Sequence, residues 1–156
     1  MKFNEFYSLT IVHSRDIILV KGVDYMNITK QKSQKTFDKQ AADYDTNIQG
    51  EHARKLYKPI IENLKNKNIH SILDLGCGTG ALLKEIKELN IAEQLFGIDI
   101  SPNMLEIAKN KLGNDATLIL GDSERLPFED SSFDPIVCND SFHHYPQPDI
   151  VEKEVS

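Results

Sequence analysis

The sequence has no tryptophan, and its two cysteines, Cys77 and Cys138, stand far apart. Neither belongs to a CxxC pair, and the five histidines complete no zinc-ligand spacing, so the common structural zinc motifs are excluded. Two thiols in an ordinary acidic chain do not make a disulfide scaffold and point to a reducing, cytoplasmic setting. A basic excess is also lacking. The formal net charge is -6, against the electrostatic footprint expected of a nucleic-acid partner. Lys30, Lys32, Lys35 and Lys39 cluster locally, which reads as a solvated helix face. No run approaches the roughly 20 apolar residues that span a bilayer. Glu5, His13, Arg15 and Asp16 interrupt any signal-peptide apolar stretch, and no membrane role is expected. Repeats and low-complexity segments are missing too.

What is present suits one domain with a sizeable core: 156 residues, 40% of them hydrophobic. Residues 1–25 read as an N-terminal extension. Tyr7 to His13 and Ile17 to Val20 are β-prone runs around Ser14-Arg15-Asp16, a pattern that admits a hairpin. Residues 26–156 form the main body. A helix is predicted from Thr29 through Tyr44. A second carries Ala53, Leu56, Tyr57, Ile60, Ile61 and Leu64 at helical spacing, with Pro59 expected to kink it or delay its regular start.

Strands and helices then alternate. His70–Leu75, Gln94–Ile100, Ala116–Leu120 and Phe133–Asn139 read as four strands. Leu82, Leu83, Ile86 and Leu89 mark the first intervening helix. Ser101 as N-cap and Pro102 at the first helical position open the next, through Met104, Leu105, Ala108 and Leu112. A last helix begins at Pro148. This succession implies right-handed parallel βαβ units in an α/β fold. With the fourth strand returning beside the first, the order is 3-2-1-4, and ligands are expected at the switch point between strands 1 and 4.

The chemistry concentrates at the strand ends. Asp74-Leu75-Gly76-Cys77-Gly78-Thr79-Gly80 follows a strand and opens a helix. Its glycines let the backbone turn and approach a ligand, and the helix N-terminus offers unpaired N–H groups. Asp99 ends the second strand, where a carboxylate can accept from both ribose hydroxyls. Asp122 follows the third, in Gly121-Asp122-Ser123. Each acid alone could be a turn or capping residue. Three on one rim make a ligand site the better reading.

These segments, with Gly97-Ile98-Asp99-Ile100-Ser101-Pro102-Asn103-Met104, Gly121 through Phe128, and Phe133-Asp134 through Cys138-Asn139, resemble the class I S-adenosylmethionine-dependent methyltransferases, most closely their small-molecule type 11 branch. The resemblance runs from about Phe37 to the C-terminus. It implies a Rossmann-like sheet and S-adenosylmethionine as cofactor. It also implies that Asp74, Gly76, Cys77, Gly78 and Gly80 hold the methionine part. Asp99 and Ile100 then serve the ribose side, Met104 packs beside the adenine, and Asp122 with Ser123 takes the adenine amine. Tyr44, in Ala41-Ala42-Asp43-Tyr44-Asp45, resembles a tyrosine covering the methionine end, although a helix-packing role explains it as well. Asn139 and the following Asp140-Ser141-Phe142-His143-His144-Tyr145 are expected to flank the methyl group. Methyl transfer from a sulfonium is an in-line displacement governed by positioning. His143 or His144 could act as base where the acceptor holds a proton, or could pack and cap the next helix instead.

A permissive Gly76-x-Gly78-x-x-Ala81 pattern also fits a nicotinamide-dinucleotide site, but Gly80, Asp74 and Asp122 favour a smaller zwitterionic cofactor. The family sheet normally has seven strands, and this sequence ends soon after the fourth, so residues 26–156 read as a partial domain. Pro135 lies where a central strand would use a backbone N–H. Three functions follow: methyl transfer to an unidentified small molecule, cofactor binding without turnover, or a nucleotide-binding Rossmann module of another class. The exposed strand 4 edge is expected to be covered either by residues 1–25 folding back as a hairpin or by a second copy in a homodimer.

Overall fold

The computed structural model describes residues 7–11, 17–21, 30–141, 145 and 147–155. Two strands, β1 (Tyr7–Ile11) and β2 (Ile17–Lys21), pair antiparallel with Tyr7 opposite Lys21, as a sheet of their own. Next come α1 (Lys30–Gln40), α2 (Ile48–Lys55) and α3 (Tyr57–Leu64). The alternating part comprises β3 (Ile69–Leu75), α4 (Ala81–Glu88), β4 (Ala92–Asp99), α5 (Pro102–Leu112), β5 (Thr117–Leu120), β6 (Ile136–Val137) and α6 (Pro148–Glu154). Its four strands are parallel in the order β5-β4-β3-β6, which is 3-2-1-4 counted along the main body. The Rossmann-like α/β arrangement expected from the alternation is therefore the one observed.

Local chemistry explains where elements stop. The helix expected through Tyr44 ends at Gln40, and residues 41–47 turn instead. Thr46 Oγ1 donates to Asp43 O at 2.9 Å, and Asn47 Oδ1 accepts from Gly50 N at 2.9 Å, capping α2. Such side chains offer the backbone partners outside a helix. Pro59 has no N–H for the Lys55 carbonyl, and the helical run is accordingly broken at Leu56. Ser101 caps α5 as expected, its Oγ accepting from Met104 N at 3.1 Å.

β6 is much shorter than Phe133–Asn139. Asp134 N donates to Ser71 O, and the next residue's carbonyl, Pro135 O, accepts from Leu73 N. In a regular strand only alternate residues bond to one neighbour, so the ladder is out of step at the proline. The Asp134 carboxylate compensates by accepting from His70 N at 2.7 Å and Ser71 N at 2.9 Å.

Strand alternation sends side chains to two cores. Ile72, Leu95 and Val137 pack with Ile60, Leu64, Leu83, Ile86 and Leu112 on one face. Leu73, Leu75, Ile98 and Cys138 pack with Val151 and the Phe96, Phe128 and Phe133 rings on the other. β3, covered on both faces, is buried at every position but His70. Its C-terminal end is thereby a rigid platform. No helix among the described residues is long and apolar enough to cross a membrane.

Candidate functional site

The glycine loop leaves β3 under tight constraint. Gly76 N and Cys77 N both donate to Ile98 O, at 2.8 and 3.1 Å, which ties the loop to β4. Gly76, Gly78 and Gly80 have φ of 70°, 52° and 72°, values that L side chains rarely adopt. Gly80 caps α4, and a Cβ there would meet Leu112 Cδ1 at 2.8 Å and Ala108 Cβ at 3.0 Å. A Cβ on Gly78 would meet nothing within 4 Å. Gly80 thus permits packing against α5, whereas Gly78 faces open space.

Acids occupy the strand ends. Asp99 is 8% exposed; its carboxylate accepts from Gly78 N and Ser101 N, each at 2.8 Å. Burial raises its pKa, against the lowering effect of these backbone bonds. Asp74 is 2% exposed, and burial, then the charge of Asp99, pushes its pKa well above the usual carboxylate range. No basic side chain of the described residues counters that shift. Asp122 accepts from Glu124 N at 3.0 Å and holds the turn to Arg125.

An open cleft lies over this rim. Gly76, Gly78, Asp99, Ile100 and Met104 line the cleft, together with Asp122 and Ser123. Ser33, Phe37 and Tyr44 come from α1 and the turn after it. Asn139, Asp140, Ser141 and Tyr145 come from the segment after β6. Ser141 Oγ donates to Leu75 O at 2.9 Å, and a Cβ on Gly76 would lie 2.6 Å from the Ser141 side chain. This segment therefore packs directly onto the glycine loop. A smaller cavity adjoins, lined by Asp74, Cys77, Tyr57 and Thr79, with Tyr44, Gly76, Gly78 and Asn139 shared between the two. Among the described residues, Ser33 Oγ and Asn139 Oδ1 are buried without a hydrogen-bond partner, which leaves unmet polar capacity at the cleft.

Residues 72–154 match the family model described as "Methyltransferase domain". The chain belongs to the methyltransferase domain family. Its parallel order and strand-end motifs are those of the class I, S-adenosylmethionine-dependent branch. It is 33% identical over 120 residues to a demethylmenaquinone methyltransferase of Thermotoga maritima, covering 75% of this chain and 52% of that one. It is 34% identical over 121 residues to a malonyl-[acyl-carrier protein] O-methyltransferase of Priestia megaterium, covering 76% and 43%. Among solved structures, a putative methyltransferase of Haloferax volcanii, in complex with a methyltransferase activator, superposes with a TM-score of 0.66 at 27% identity. That likeness covers 76% of this chain and 53% of the other. The chain spans about half the length of the curated relatives it matches.

In this methyltransferase domain the residues expected from sequence divide into three groups. Tyr44, Gly76, Gly78, Asp99, Ile100, Met104, Asp122, Ser123 and Asn139 meet at the main cleft. Asp74 and Cys77 line the smaller cavity beneath the loop, and Gly80 lines neither. His143 and His144 lie outside the described residues. The sequence pattern passed over Ser33 and Phe37, and marked Asp140, Ser141 and Tyr145 only as part of a loop flanking the methyl group. Tyr145 and Ser141 sat in the quoted segment after strand 4, but nothing in their spacing separated them from the histidines. Ser33 carries no sequence signal, because a lone serine in a polar helix is indistinguishable from a solvated one.

Proposed function

We propose that this methyltransferase domain binds S-adenosylmethionine across the cleft and directs methyl transfer to a small-molecule acceptor. The bound cofactor supplies an electrophilic methyl group on a sulfonium, and a methionine ammonium. The observation that carries the reading is Asp74, a carboxyl buried on the smaller cavity, whose pKa is raised by burial and by Asp99 with no basic neighbour among the described residues to relieve it. A cationic ligand end relieves that position, whereas a pyrophosphate adds like charge to it. Asp99 supports the same assignment. A carboxylate has about four acceptor sites, enough to keep the Gly78 and Ser101 bonds and still serve ribose hydroxyls. Ile100 and Met104 suit the apolar flank of an adenine, and Asp122 with Ser123 its amine edge.

Acceptor chemistry falls to the segment after β6 and the Tyr44 turn, both of which contribute residues to the cleft lining. General-base help, for an acceptor holding a proton, is assigned to His143 or His144. Ser141 and Tyr145, their sequence neighbours, both line the cleft. The two named relatives act on chemically unlike acceptors, and the acceptor is proposed at the level of its class alone. Titration calorimetry with S-adenosylhomocysteine and with NAD tests the cofactor reading. Heat from the first alone is expected, and the reverse pattern overturns it. A methyl-donor turnover assay across an acceptor panel tests the enzyme. Binding with no turnover on any acceptor reduces the function to cofactor binding.

A further inference from the structure

Three elements meet at one polar node on the rim of the smaller cavity. Asp45, in the turn after α1, accepts from Thr79 Oγ1 at 2.6 Å through Oδ1 and from Lys111 Nζ at 2.7 Å through Oδ2. Lys111 Nζ also reaches Thr79 Oγ1 at 3.1 Å, closing a triangle among turn, glycine loop and α5. The Arg54 guanidinium binds the Asp45 carbonyl from α2. Gly50 lies against the same turn, so that a Cβ there would overlap Tyr44 O. Tyr44, beside Asp45 in this turn, is among the residues that line both cavities, with its ring edge-on to Phe37 at 6.3 Å.

We propose that Asp45, Thr79 and Lys111 form a latch that holds the Tyr44 turn over the cofactor cleft and sets how fast the cofactor leaves. The inference rests on the cofactor reading given above. Asp45 touches the glycine loop and α5 and lines neither cavity, so it acts through Tyr44 as a positioning residue. The latch is only partly buried: the Lys111 and Asp45 side chains keep 18% and 41% of their exposure. A pair of that kind is strong enough to bias a turn and weak enough to open. The α1 end of the segment is held separately. Asp38 accepts from Ser101 Oγ at 2.6 Å and, through its carbonyl, from Asn103 Nδ2 at 3.1 Å. Opening the latch therefore releases the turn from the glycine loop while α1 stays docked on α5.

The test is stopped-flow binding of S-adenosylhomocysteine to the whole chain and its variants. Asp45→Asn and Lys111→Gln are each expected to raise the dissociation rate constant about tenfold, with association changed less than about twofold. The double variant should be no faster than the faster single one, since both remove the same Asp45–Lys111 ion pair. Lys111→Arg is expected to restore slow dissociation. A merely structural role would instead lower the melting temperature in proportion and leave the dissociation rate alone. If Asp45→Asn fails to fold, Lys111→Gln, which keeps the Asp45–Thr79 bond, carries the test. Dissociation within about twofold of the parent in Lys111→Gln overturns the latch and leaves the cofactor reading standing. Absence of binding by the parent chain overturns both.

Discussion

At the scale of single residues, the site is built from carboxylates held where water is scarce. Asp99 joins β4 to the glycine loop through Gly78 and to α5 through Ser101. Asp99→Ala is expected to weaken S-adenosylhomocysteine binding by about 1.5–3 kcal/mol, the scale of hydrogen bonds to a charged group. Calorimetry measures this, and unchanged affinity would remove Asp99 from the site. Asp74 makes a pH-dependent prediction. Its pKa is raised in the folded chain, so between the ordinary carboxylate value and the folded value the unfolded state binds fewer protons. Stability contributed by this group therefore falls as pH rises through that window. A cationic ligand end favours the ionised carboxyl, so binding inside the window releases a proton. Calorimetry in buffers of different ionisation enthalpy should show that release, and Asp74→Asn should abolish it while raising the melting temperature of the ligand-free protein above the window. Equal proton release in the variant would place the titrating group elsewhere.

At the scale of elements, the glycine loop separates two kinds of glycine that the sequence presents alike. A Cβ on Gly80 collides with α5, whereas one on Gly78 enters open space. Gly80→Ala is expected to destabilise the chain by about 1–3 kcal/mol, combining positive-φ strain with overpacking. Gly78→Ala adds only the backbone strain, about 1–2 kcal/mol, but sets a methyl group in the cleft. Urea denaturation should therefore rank Gly80→Ala as the less stable. Binding should rank Gly78→Ala as the weaker of the two among molecules still folded. The segment after β6 carries its own strain. Asp140 has φ 55°, lines the cleft, and has His52 Nε2 3.9 Å from its carboxylate. Backbone strain at a cleft residue is a common price of a functional site.

At the scale of the whole molecule, the open question of the sheet is its β6 edge. Among the described residues β6 pairs with β3 alone, and only Ile136 and Val137 enter that ladder. β1 comes within 8 Å of β6 between Cα atoms without joining its sheet. A hairpin over an edge strand blocks pairing with a second chain. The chain beginning at Met26 is therefore expected to associate more than the full sequence in size-exclusion chromatography with light scattering. Cooperative, monomeric melting of both forms would show that this edge needs no cover.

The sequence by itself determined the parallel order, the glycine loop and the acids at the strand ends. Each depends on short-range rules: apolar period, turn chemistry, and a strand's C-terminus lying next to its own loop. It also pointed to Pro59 as the disturbance behind the break at Leu56 and to the cap at Ser101, because both act within four residues. How Tyr44 and the segment after β6 are joined at the cleft by residues of α1 depended on the tertiary structure. Ser33, Phe37 and Tyr145 reach the cleft from segments more than a hundred residues apart, and Asp45 meets Lys111 across 66 positions. The two-residue ladder of β6 was likewise not legible. Its length depends on how Asp134 and Pro135 present their backbone groups to β3, a pairing that exists only once both strands are in place.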